Sequence, residues 1–140
     1  MSSEQTHHEE LVNGFYNQLK QIFDESPQAI YLYLDDNHKV CNEKFASLLG
    51  YNSPEEWAKI KNPLEENVDK RSQDTVVSNY FNATEKMTAS QMDVKLKTTS
   101  GSVFEASAIV VPVVYQHHVF ALYFISEKNI ENKNKKSESK

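Results

Sequence analysis

The sequence predicts an α+β domain built on an antiparallel sheet, and three observations carry that reading. An amphipathic stretch leads the chain, two short strand patterns joined by a tight turn follow it, and three further strand patterns close it after a helical middle. The five strand patterns define the sheet, and nothing in the sequence repeats.

Over residues 9–23 the side chains Leu11, Phe15, Leu19 and Ile22 recur at helical spacing, with Val12, Tyr16 and Phe23 widening the stripe. Asp24-Glu25-Ser26-Pro27 ends this helix, because the residue before a proline is pushed out of the α region. In "QAIYLYLDDNHKV" the residues Ile30, Leu32 and Leu34 alternate with Ala29, Tyr31 and Tyr33, and Asp35 to His38 supply the turn. This strand is apolar on both faces, so both need cover; the leading helix, from this chain or from a partner, is the candidate.

The stretch "KVCNEKFASLLGYNSPEEW" encodes two short helices. Asn42 is placed as an N-cap, Phe45, Leu48 and Leu49 share one helical face, and Gly50 supplies the left-handed residue that closes the turn. Ser53-Pro54-Glu55-Glu56 then offers an N-cap, a proline at the first helical position and a capping-box glutamate before Trp57. A longer helix from about Asp69 carries Val76, Val77, Tyr80 and Phe81 on one side. Met92, Val94 and Leu96 then alternate with charged residues, and the runs from Val103 to Val114 and Val119 to Ile125 complete the strands, with Pro112 marking an edge or bulge. The organisation expected is a disordered segment 1–8, a helix 9–23, one domain over 24–127 and a Lys-rich tail 128–140.

Bulk properties narrow the function. The chain has 140 residues, a net charge of −5 and a single arginine, Arg71, which removes the bidentate contacts favoured in nucleic-acid recognition. The one cysteine, Cys41, cannot form an internal disulfide, no apolar run approaches the roughly 20 residues that span a bilayer, and the polar, acidic start lacks a secretory pattern. A cytoplasmic protein without nucleic-acid or membrane partners is expected. "NKNKKSESK" reads as a solvated terminus, and the acceptor tripeptide Asn82-Ala83-Thr84 as an accidental match.

Three stretches together resemble the PAS domain family: "ESPQAIYLYLDDNHKVCNEKFASLLGY" followed by "SPEEW", the looser "NVDKRSQDTV", and "KTTSGSVFEASAIVVPV". The family's opening carries Asn, Phe, Leu and Gly at the spacing of Asn42, Phe45, Leu49 and Gly50, and the resemblance covers about Asp24 to Glu127. "SEKNIE" stands where the family usually has an Asp-Ile-Thr triplet leading to an output helix. The resemblance implies a five-stranded antiparallel sheet with short helices over one face, enclosing a pocket. Mapped onto that fold, the pocket candidates are Ile30, Leu32, Leu34, Phe45, Leu49, Val76, Tyr80, Phe81, Leu96, Phe104, Ala106, Ala108, Leu122 and Phe124. Leu11, Phe15, Leu19, Ile22, Tyr31 and Tyr33 are the candidates for a homodimer interface.

Residue types argue against the family's known cofactors. The region "IKNPLEENV" lacks the cysteine of flavin-photoadduct members, and Leu96 and Ala106 stand where those carry polar residues. The span from Asp69 to Met87 has no histidine for haem, and Cys41 precedes the position used by coumaryl-binding members. Cys41 itself reads as an inert small hydrophobe. His7-His8 in a free end and His117-His118 at a hairpin read as surface residues, with no metal site, and Asp35-Asp36 lacks a base to work with. The expected function is a sensory, signal-transducing PAS domain, not an enzyme, which dimerises, holds a small apolar ligand and acts on a downstream protein or output domain. The alternatives are a closed-core interaction module and a small α+β enzyme.

Overall fold

The computed structural model describes residues 2–128, with side chains from Thr6 onward. Helix α1 (Ser2–Glu25) leads into strands β1 (Ala29–Asp35) and β2 (His38–Cys41), then short helices α2 (Glu43–Leu49), α3 (Pro54–Ala58) and α4 (Pro63–Asn67). A 3-10 turn (Lys70–Ser72) opens α5 (Gln73–Lys86), and β3 (Ser90–Lys97), β4 (Val103–Tyr115) and β5 (His118–Glu127) follow. The five strands form one antiparallel sheet in the order β2-β1-β5-β4-β3, so the chain is α+β as its patterns require.

The local signals act as their chemistry dictates. Asn42 caps α2 by accepting from the Phe45 amide at 3.0 Å, and Ser53 caps α3 by accepting from the Glu56 amide at 3.1 Å. Gly50 ends α2 at φ 92, and the Thr99 backbone amide and hydroxyl reach the carbonyls of Leu49 and Gly50, fastening this corner to the β3–β4 turn. Gln116 and His117 both have positive φ and form a two-residue hairpin loop between β4 and β5. Pro112 lies beyond the end of β3, where β4 is paired with β5 alone, so its missing amide costs no ladder bond there.

The sheet is covered on both faces. On one side α2 to α5 pack over a cluster containing Phe45, Leu49, Trp57, Val94, Ala108 and Tyr123. On the other, α1 of the same chain lies over Ile30, Leu32 and Phe120, burying its own Leu11, Val12 and Phe23, with Phe15 and Leu19 packed alongside. The two-faced apolar pattern of β1 is thereby satisfied within one chain. Helix α1 begins at Ser2, inside the segment 1–8 set apart from the sequence, and His8 is tied to Asp35 at 3.2 Å. Apart from Lys128, which bridges Asp93 at 3.3 Å, the expected tail falls outside the described residues. Among the described residues, no helix is long and apolar enough to cross a membrane.

Two buried polar side chains organise the α2–α3 corner. The Asn42 Oδ1 also accepts from the Ile30 amide at 3.1 Å, and its Nδ2 donates to the Gln28 carbonyl at 2.9 Å. Lys39 is 2% exposed, and its Nζ donates to the carbonyls of Asp36 (2.6 Å), Ala58 (3.2 Å) and Ile60 (2.6 Å), 5.2 Å from the centre of the Trp57 ring. A cation at the C-terminal end of α3 meets the negative end of the helix dipole and an aromatic face together. Burial lowers the Lys39 pKa below its ordinary value, against the opposing pull of Asp36 and Asp35.

Replacing Asn42 removes a helix cap and orphans two buried backbone groups at once. Asn42→Ala is expected to lower stability by about 3 kcal/mol, read as an earlier urea midpoint with an unchanged slope. A loss below about 0.5 kcal/mol would show that water replaces these bonds freely.

Candidate functional site

A cavity of about 280 Å³ lies between the sheet and the α3–α5 side of the molecule. Its floor comes from alternate residues of four strands: Tyr31 and Tyr33 on β1, Tyr123 and Ile125 on β5, Ala108 on β4, and Met92, Val94 and Leu96 on β3. The register sets Tyr31 opposite Tyr123, and Ala108 opposite both Ile125 and Met92, so one pleat face of each strand meets the same space. Phe45, Trp57, Pro63, Leu64, Asn67 and Val68 wall one side, and Val76, Val77, Tyr80 and Phe81 the other. Ala108 is what keeps the floor low, since a larger side chain there would fill the space.

The walls are largely aromatic. Tyr31 stacks on Tyr123 with centroids 4.1 Å apart and lies 4.7 Å from Phe45 and 5.2 Å from Trp57; Phe45 meets Trp57 edge-on at 5.1 Å, and Tyr33 meets Tyr80 edge-on at 5.4 Å. The polar atoms are mostly committed. The Trp57 Nε1 donates to the Asn67 Oδ1 at 2.8 Å, the Asn67 Nδ2 donates to the Tyr51 hydroxyl at 2.9 Å, and the Tyr33 hydroxyl donates to the Asp36 carboxylate. Phe81 is 47% exposed and marks the rim.

Burial raises the pKa of four phenols that line this space. Tyr31 rises well above its ordinary value, through burial and the neighbouring Tyr123 phenol; Tyr33 rises through burial and its bond to Asp36; Tyr80 and Tyr123 rise mainly through burial. Neutral phenols therefore offer hydroxyl groups for hydrogen bonding, not charge. Burial also pushes up the Cys41 thiol, which sits 2% exposed in the core outside the cavity lining.

Of the residues expected around the pocket, Phe45, Val76, Tyr80, Phe81, Leu96 and Ala108 line the cavity. Leu49, Phe104 and Ala106 pack in the same core without reaching it. Ile30, Leu32, Leu34, Leu122 and Phe124 lie on the opposite face, against α1, and the parity expected for β1 and β5 is therefore inverted. Tyr31 and Tyr33, expected on the outer face as dimer contacts, point into the cavity instead. The physical reason is that the side chains without a polar atom fill the contact with α1, whereas the tyrosines place rings against Phe45, Trp57 and Tyr80 and keep their hydroxyls within reach of polar partners. Trp57, Asn67, Tyr123 and Met92 were not expected at the site. Trp57 carried a signal, being the only tryptophan and directly following a capping box.

No family model matches the sequence, and no curated protein matches it. Solved structures do match its fold. A PAS domain from Colwellia psychrerythraea superposes with a TM-score of 0.66 at 18% identity, covering 83% of this chain and 98% of that one. A PAS domain from a two-component sensor histidine kinase gives 0.63 at 14% identity over 83% and 98% of the two chains. A LOV protein from Rhodobacter sphaeroides gives 0.66 at 15% identity over 84% of this chain and 68% of that one. The chain is a PAS-like domain in fold.

The raised phenols fix the sign of an alkaline response. A group whose pKa is higher in the folded state stabilises fully below its unfolded value, here 10.0, and loses that contribution as pH climbs above it. The tyrosinate absorbance of these four phenols is therefore expected to rise together with the loss of helical circular dichroism, in one transition above pH 10. Ionisation of these four phenols with the fold intact would contradict this placement.

Proposed function

We propose that this chain is a cytoplasmic sensory module that takes a small, mainly apolar ligand into the cavity and passes its occupancy to a downstream signalling protein or output domain. The observation that carries this reading is the cavity itself: an aromatic chamber of about 280 Å³ between the sheet and its short helices. A cavity of about 150 Å³ takes up benzene, so this one suits a compact molecule of one or two rings with a hydroxyl or carbonyl for the phenols to meet. That size, and an α5 without histidine, favour such a molecule over haem or flavin. The similar PAS domain of a two-component sensor histidine kinase supports a sensory role. Acid-base catalysis finds little support, because the phenols are held neutral and the one carboxylate at the lining, Asp36, accepts from Tyr33.

Homodimerisation belongs to the same reading, with a narrower interface than the sequence suggests. Leu11, Phe15 and Leu19 are used on the chain's own sheet, and Ile22, 53% exposed, is the member of the expected set that faces outward. A second copy would meet Ile22 and its surroundings. A monomeric mass in sedimentation removes the dimer from the reading.

Native mass spectrometry of freshly purified protein, beside a denatured aliquot, tests the ligand directly. An added mass that disappears on denaturation is expected. A panel of one- and two-ring aromatics should raise the thermal midpoint, with about 2.7 kcal/mol of stabilisation at a hundredfold excess over Kd. Ala108→Leu, which fills the chamber, should fold and lose that response. A clean apo mass together with no shift from any compound would favour the closed-core interaction module.

A further inference from the structure

A second constellation lies outside the cavity, where α1 crosses the ends of two hairpins. The rings of His8 and His38 are 5.5 Å apart, those of His8 and His118 are 5.7 Å apart, and His7 lies 5.3 Å from His118. Between His8 and His38 stands Asp35: its Oδ2 is 3.2 Å from the His8 Nδ1 and its Oδ1 is 2.6 Å from the His38 Nδ1. One ligand atom from each of His8, Asp35 and His38 falls within 4.8 Å of the other two. The three come from α1, the end of β1 and the start of β2, so the fold assembles them.

We propose that His8, Asp35 and His38 form a three-ligand site for a divalent transition-metal ion of the zinc class. Two imidazoles and a carboxylate are a donor set that Zn²⁺ accepts, with a water completing tetrahedral geometry, and that Ni²⁺ and Cu²⁺ also take. Ligands on a metal with bonds of about 2.0–2.1 Å sit about 3.3 Å apart along a tetrahedral edge. The Asp35–His8 spacing of 3.2 Å is close to that edge already, and the Asp35–His38 spacing of 2.6 Å is a hydrogen bond that opens by a fraction of an ångström to admit the ion.

The surroundings are suited to the task. His38 and His8 have side chains 11% and 25% exposed, against 40% for Asp35, so their rings are held by packing on the sheet while the carboxylate remains reachable. Asp35 is fixed in turn, because its Oδ1 accepts from the Asn37 amide at 3.0 Å. Binding replaces the hydrogen bonds between Asp35 and the two imidazoles and joins α1 to the β1–β2 hairpin through one ion.

The test uses the full chain titrated with Co²⁺, whose visible absorption reports tetrahedral nitrogen and oxygen ligands, and with Zn²⁺, which should displace it. One equivalent is expected to bind and to raise the thermal midpoint. His8→Ala and His38→Asn should each weaken binding about tenfold or more, while His117→Asn, at the exposed hairpin position, should bind as the wild type does. His8 lies on the surface of a helix, so its variant keeps the fold if His38→Asn does not. Absence of both the Co²⁺ band and the Zn²⁺ stabilisation overturns the site, and so does equal binding by wild type and His8→Ala.

Discussion

Asn42 holds together the part of the chain on which every later element depends. It is 4% exposed, yet its amide group accepts from two backbone amides and donates to one backbone carbonyl, while its own amide donates to the Ile30 carbonyl. These bonds fix in one place the start of β1, the end of β2 and the first turn of α2. An aspartate would also cap the helix but would set a carboxylate oxygen against the Gln28 carbonyl, so the requirement is for the amide. With α2 starting there, Phe45 points at Tyr31, and the turn at Gly50 sends α3 back so that Trp57 reaches both. Lys39 then secures the returning chain by meeting the carbonyls that α3 leaves open.

What could be read in the sequence was what neighbouring residues decide between themselves. Caps, glycine and proline positions, and the change from helical to strand period located the elements, and the resemblance to PAS domains ordered them into the sheet. The face of β1 was not legible, because a strand apolar on both sides carries a period-2 pattern with no preferred parity. Reading Ile30, Leu32 and Leu34 as inward applied the usual rank of aliphatics over tyrosines; here the cavity face belongs to the rings. Lys39 was hidden for a related reason. A lysine beside a turn reads as solvated, and only the placement of three carbonyls from distant positions makes it a buried one. The histidines shared this limit, since His8, His38 and His118 become neighbours only through α1 docking and hairpin register.

Strand β1 places the two faces in mechanical contact. Ile30 and Leu32 pack under α1 while Tyr31 and Tyr33 form the cavity floor, so a rotation of the strand that moves one set must move the other. Packing at interior density leaves little slack to absorb such a shift locally. The turn after β1 repeats the arrangement: Asp35 meets the imidazoles of His8 and His38, and its neighbour Asp36 accepts from the Tyr33 hydroxyl at the cavity. A molecule that displaced the Tyr33 ring would therefore act on the turn that carries Asp35, and an ion held by Asp35, as proposed, would restrain that ring in return. By the reciprocity of linked equilibria, any effect of cavity occupancy on the docking of α1 must be matched by an equal effect of α1 docking on cavity affinity. A signal between the two faces needs no long path through the protein, because one strand and its turn supply both ends.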